Sequence, residues 1–242
     1  MHATAPSIYK PVLKQFTLGG NGAAYGASTK SGAGWAYKAD NGFAVSSNVV
    51  TGNNGLLTNQ QATSWATQVG YTQPQYSASL MINQKYNGWE DGYYSTTKGH
   101  YRLLDGSTST QQSANSTNYG LRAWWRPAET GTATPAVSAG YDASTLDITN
   151  GALDETDAWF VGLNWSDMFQ PDDKIGLAFG QPQTREDETV DPFAWEAYYS
   201  FQVNDSITVT PTIFGGQDRK GTANEDMTGA VIETTFKFYY LA

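Results

Sequence analysis

The chain has 242 residues, 39% of them hydrophobic, with a formal net charge of −9 and no cysteine. That balance excludes a disulfide scaffold and thiol chemistry, and it argues against nucleic acid as a partner. No apolar run is long enough for a transmembrane helix, but a wall of strands hides its apolar residues by alternating them with polar ones and is not excluded. Tyrosine, tryptophan and glycine are abundant, which suits barrel walls and turns and equally suits sugar-binding sandwiches. The opening MHATAPSIYK has neither the basic start nor the apolar core of a signal peptide.

Residues 1–30 read as irregular, with Val12–Leu18 a candidate short strand, and 31–242 read as the β-portion. Trp35–Ala39 and Phe43–Val50 are expected to form a hairpin, with Asn41-Gly42 favouring a primed turn. Trp65–Tyr71 and Tyr76–Tyr86 form the next, turning at Gln73-Pro74-Gln75. Tyr119–Arg126 then carries Leu121, Ala123 and Trp125 on one face and Arg122, Trp124 and Arg126 on the other. Ala136–Asp142 returns, and Asp157–Trp165 places Trp159, Val161, Leu163 and Trp165 on one side. Ile175–Gly180 follows.

Phe193–Phe214 is the clearest hairpin. Phe193, Trp195, Ala197, Tyr199 and Phe201 alternate with Ala194, Glu196, Tyr198 and Ser200. After Asn204-Asp205-Ser206, Ile207, Val209, Pro211 and Ile213 alternate with threonines. Period-two alternation means a sheet with one apolar and one wetter face. Strands of ten or so residues exceed the usual five or six and match the ~9–11 tilted residues that cross a bilayer. Thr228–Tyr240 is the last strand.

The expected connections alternate in length. Short ones fall near 40–42, 73–75, 128–134, 169–173 and 204–206. Long ones fall at 51–64, 87–118, 143–156, 181–191 and 215–227. Membrane barrels show this asymmetry. The fold class is therefore all-β, an antiparallel transmembrane β-barrel with about 11–12 strands present, eleven after residue 31 and a twelfth if Val12–Leu18 pairs. Eleven strands point to the carboxy-terminal part of a larger barrel. The competing reading is a soluble β-sandwich that binds carbohydrate.

The segments PSIYKPVLKQFTLGGNGAAYGASTKSGAGWAYKADNGFAVSSNVV, DPFAWEAYYSFQVNDSITVTPTIFGG and VIETTFKF resemble cyanobacterial outer-membrane porins of the carbohydrate-selective (OprB-like) family. The resemblance implies an outer-membrane location of the Gram-negative, cyanobacterial type, passive passage of sugars, inorganic ions or iron species, and a homotrimer. It also implies that the amino-terminal barrel strands and anchoring segments of complete members are missing here, and that Phe238 corresponds to the family's terminal aromatic, with Tyr239–Ala242 beyond it.

A porin needs a wet lumen with placed charges rather than a nucleophile. With Leu121 and Trp125 facing lipid, the candidate pore-lining residues are Arg122, Arg126, Glu196, Asn83, Lys85, Glu233 and Lys237, with Arg122 and Glu196 set near the constriction. A salt bridge that only stiffens the wall is the plainer role for these charges. The loop acids Asp154, Glu155, Asp157, Glu186, Asp187 and Glu188 are candidates for gathering cations at the mouth. The loop aromatics Trp89, Tyr93, Tyr94 and Tyr101 are candidates for stacking on sugars. His2 and His100 form no ligand-spaced pair, so no metal, no cofactor and no enzymatic chemistry are expected. The expected partners are a lipid bilayer and small hydrophilic solutes.

Overall fold

The computed structural model describes residues 7–12, 30–52, 62–87, 115–147, 155–185, 189–218 and 222–237. Eleven strands follow one another: β1 (Gly32–Lys38), β2 (Phe43–Thr51), β3 (Thr63–Thr72), β4 (Tyr76–Tyr86), β5 (Asn115–Trp125), β6 (Ala136–Asp147), β7 (Glu155–Ser166), β8 (Lys174–Arg185), β9 (Phe193–Asn204), β10 (Ile207–Gln217) and β11 (Met227–Phe236). They form one antiparallel sheet in sequence order, each strand bonded to the next. No pairing joins β1 to β11 among the described residues, so the sheet is open there. A single sheet removes the sandwich reading, which needs a second layer. The expected strand over Val12–Leu18 lies outside the described residues, apart from Val12, which sits in a bend.

Several strands run further than the alternation implied. β5 begins at Asn115 rather than Tyr119, β6 continues to Asp147, β7 begins at Glu155 and β8 continues to Arg185. The added ladder pairs Asn118 with Ser144 and Thr117 with Thr145. Both faces there are polar, so backbone pairing continues where the hydrophobic signal has stopped. The expected alternation of short and long connections holds only in part: at one end of the sheet 39–42, 73–75 and 205–206 are tight, but 126–135 at that end is longer than 148–154 and 186–192 at the other, because the extended strands take up much of the expected loops.

The two faces are inverted relative to a soluble protein. Residues directly opposite in a ladder share a face. One row runs Val69, Leu80, Leu121, Tyr141, Trp159. On that face Leu121 is 50% and Ile213 54% exposed. The other face carries Gln68, Asp142 and Glu196, all 0% exposed. Apolar side chains thus face out and polar ones are enclosed, as in a barrel wall whose outside is lipid. Aromatic residues mark two levels on the outer face. Phe43 pairs with Tyr71, and Tyr76 with Trp125, close to the short turns. Trp65 lies six residues up β3 from Tyr71, a rise of ~20 Å along the strand.

Local chemistry closes the turns. Ser206 N donates to Asn204 Oδ1 at 2.9 Å, the side-chain cap expected of Asn-Asp-Ser. The Asn41-Gly42 turn is not primed. Only Gly42 has positive φ there (94°), and its N donates to Ala39 O at 3.1 Å. That is a type I turn followed by a left-handed glycine, the bulged alternative that also restores strand twist. Pro182 stands within β8 where the β7–β8 register slips between Asp157 and Trp159. A residue with no N–H is tolerated in an interior strand at such a bulge.

The 167–173 turn is organised by the buried Asp173. Its carboxylate accepts from the backbone N of Met168 (2.8 Å), Phe169 (3.0 Å) and Gln170 (3.1 Å), and from Tyr199 Oη (3.0 Å). Desolvation alone raises its pKa, but these four donors outweigh it and hold the carboxyl below its ordinary value. A carboxylate with a lowered folded-state pKa stabilises the fold above its unfolded pKa, and the gain disappears as pH falls through the folded value. Asp173→Asn is therefore expected to lower the urea midpoint of unfolding at pH 7. The gap from the native protein is expected to narrow below pH ~4. Midpoints measured by tryptophan fluorescence at both pH values check this.

Candidate functional site

The enclosed face is lined by small residues that leave room for a few large ones. Gly140, Gly162 and Gly176 sit beneath the rings of Phe160, Tyr9 and Tyr198 respectively, where any Cβ would collide with the ring. Ala158, Ala178 and Ala194 complete the floor. Onto it folds the segment 7–12, from a region whose sequence reads only as irregular. Tyr9 is 4% exposed and packs with Phe160, Ala178, Ala194 and Tyr198, with Val12 against the cluster.

Polar groups fix this segment. Ile8 N and Tyr9 N both donate to Ser138 Oγ on β6, each at 3.2 Å. Tyr9 Oη donates to Glu196 Oε1 on β9 at 2.8 Å, and Val12 N donates to the same oxygen at 3.2 Å. The segment therefore straps β6 to β9 across the inside of the wall. Burial, then the Glu196 charge and the hydrogen bond to it, push the Tyr9 phenol above its ordinary pKa, so it remains a donor. Glu196, expected at a constriction, is enclosed beneath the strap.

Arg122 is handled separately. Its Nη1 and Nη2 meet the two Asp142 oxygens at 2.8 Å each. Nη1 also donates to Leu121 O at 2.7 Å, and the guanidinium lies 5.8 Å from the Phe160 ring centre. Both partners are essentially inaccessible. Arg122 thus makes a salt bridge within the wall, and its acid is Asp142. Sequence reading missed Asp142 because it lies diagonally, two residues beyond Gly140, the residue opposite Arg122.

The remaining candidates scatter along the same face. Asn83 and Lys85 are each 2% exposed, near the long-loop end. Asn83 accepts from Ser64 Oγ at 2.9 Å, and its backbone oxygen accepts from Asn118 Nδ2 at 2.9 Å. Arg126 lies at the opposite end, where Nε donates to Pro74 O at 2.7 Å and the guanidinium stands over Trp124. Glu233 pairs with Thr210 and so takes an inner position, on the open edge strand. Lys237 lies just beyond that strand, its N donating to Ser206 O. Ser79 Oγ, Asn118 Oδ1 and Trp124 Nε1 are buried without a protein hydrogen-bond partner. Enclosed polar atoms of this kind are normally satisfied by water. No cluster of three potential metal ligands occurs among the described residues.

Of the loop acids, Glu155 and Asp157 lie on β7, and Asp157 accepts from Gln181 Nε2 at 3.4 Å. Asp154, Glu186, Asp187 and Glu188, the loop aromatics Trp89, Tyr93, Tyr94 and Tyr101, both histidines and Phe238–Ala242 lie outside the described residues.

The strap has a direct test. The seat of Tyr9 exists because residue 162 has no side chain. Gly162→Val is expected to displace the segment and expose the bond after Tyr9. Chymotrypsin should then cut there at least about tenfold faster than in the native protein, because cleavage of a docked segment waits for local opening. Mass spectrometry of the released peptide reads the outcome.

No family model matches the chain, and no curated protein does. Among solved structures it is similar to OmpT, an outer membrane protein of Vibrio cholerae folded in vitro and solved in a trimer form. The TM-score is 0.50 at 14% identity, over 84% of this chain and 62% of that one. The chain thus spans less than two thirds of that neighbour's length. At this identity the likeness concerns fold alone, and the chain has the fold of an outer-membrane β-barrel wall.

Proposed function

We propose that this chain forms the wall of an outer-membrane channel through which small hydrophilic solutes diffuse passively. The observation that carries the reading is the inversion of polarity. Gln68, Asn83, Lys85, Arg122 and Glu196 are enclosed while Leu80, Leu121, Trp125 and Ile213 are exposed. A wall with that arrangement is stable when its outside is hydrocarbon and its inside is wet. The orphaned polar atoms on the inner face favour water there. Selection then arises from fixed charge rather than from covalent chemistry.

The sequence resemblance to carbohydrate-selective porins supports sugars, inorganic ions or iron species as solutes and a cyanobacterial outer membrane as the setting. The trimer form of the Vibrio cholerae neighbour supports a homotrimer. The candidate lining residues are Arg122, Arg126, Glu196, Asn83, Lys85, Glu233 and Lys237.

The purified full chain inserted into planar bilayers is expected to give stepwise conductance, and liposomes containing it to swell in small sugars. Silence in both assays removes the channel reading. The Arg122–Asp142 pair gives a sharper test. In Arg122→Ser the Asp142 charge is left uncompensated, so the reversal potential should move toward cation selectivity. Stability should fall by about 3–5 kcal/mol, the usual cost of breaking a buried pair by removing one partner. The double variant Arg122→Ser, Asp142→Ser should restore native selectivity. Unchanged selectivity in the single variant would reject the role.

A further inference from the structure

The strap builds a second feature. Where it leaves the floor, Lys10 joins Arg126 and Lys174 around a cavity of about 250 Å³ at the short-turn end of the inner face. Glu129 is the one carboxylate among its lining residues, which also include Asn164 and Tyr198. Three cations against one acid leave an excess of positive charge, in a chain whose net charge is −9.

The contrast with Arg122 shows that these cations are differently placed. Arg122 is consumed by Asp142 and a carbonyl. Arg126 spends Nε on Pro74 O and keeps its terminal nitrogens. Asn164 Nδ2 donates to Tyr198 Oη at 2.9 Å. That hydroxyl therefore accepts from Asn164 and retains its own proton, and its residue lines the cavity. The space holds a tetrahedral ion and several waters, at ~30 Å³ for each water. Three cationic side chains line the space with one acid, a set that matches an anion with several acceptor oxygens.

We propose that this cavity binds a small oxyanion, with inorganic phosphate as its simplest representative, and that the docked strap completes the site. Lys174, rising from β8, and Lys10, from the strap, hold the charge. Arg126 closes the outer side, and Tyr198 donates from the wall. The site lies apart from Arg122 and Asp142, and it goes beyond the channel reading because binding here does not require a closed pore.

The test is titration of the full chain in detergent micelles with inorganic phosphate at constant ionic strength, followed by calorimetry and by phosphorus NMR. Saturable binding near one phosphate per chain is expected, uncompeted by equal chloride. Lys174→Gln and Lys10→Gln should each weaken it about tenfold or more, the loss typical of a hydrogen bond to a charged group. Gly162→Val, which unseats the strap, should abolish it. Lys38→Gln, on the distant edge strand, should leave it unchanged. Circular dichroism of each variant confirms that the sheet is intact. Non-saturating binding, equal competition by chloride, or equal weakening in Lys38→Gln would overturn the site. A protein that conducts without binding phosphate refutes only this inference, and one that binds without conducting refutes only the channel.

Discussion

Every part of this structure depends on the pairing of backbone amides from strand to strand. In hydrocarbon no water is available to an N–H or C=O, and each unsatisfied group costs several kcal/mol. A meander of eleven strands, each bonded to its sequence neighbour, meets that demand. Once the backbone is satisfied, the pleat fixes the rest. Alternate side chains go to the apolar outer face or to the enclosed face, so Leu121 and Arg122 are separated by a whole wall although they are adjacent in sequence.

Arg122 and Glu196 are accommodated on the enclosed face by two different devices. Arg122 and Asp142 neutralise each other with two parallel hydrogen bonds, which is why both tolerate complete burial. Glu196 has a separate solution. The donors that reach its Oε1 are a phenol and a backbone N–H supplied by the strap. Each device needs space, and glycine supplies it. Gly140 lets Phe160 and the Arg122 stem approach the sheet, and Gly162 admits Tyr9. A wall of larger residues would hold neither.

These devices differ in how well they can be read from sequence. Strand number and face assignment follow from period-two patterning, which Phe193–Val203 and Ile207–Ile213 show on either side of the Asn204-Asp205-Ser206 turn. Strand ends do not follow, because at Asn118 and Ser144 both faces turn polar while hydrogen bonding continues. Arg122 and Glu196 stand out as charges at inner positions, but their partners do not. Asp142 is found only once the register across residues 126–135 is known, and sequence does not fix the register of a long turn. Tyr9 is less legible still. Its contacts with Ser138 and Glu196 lie 129 and 187 residues away, and no local pattern encodes such a separation.

The strap also changes what the inner face means. Without it, Ser138, Gly162 and Glu196 are a polar row with a glycine gap, which reads as open lumen. With it, the same row is the footing of a second layer, and Glu196 belongs to the packing of the wall as much as to its electrostatics. The outer edges pose the opposite problem. β1 and β11 are exposed along their length, with residues such as Trp35 and Ile232 open on the apolar side. In a bilayer an edge of unpaired amides is not tolerated. Pairing along β1 and β11, with each other or with further strands, is therefore the condition under which the inverted polarity of the two faces can separate lipid from water.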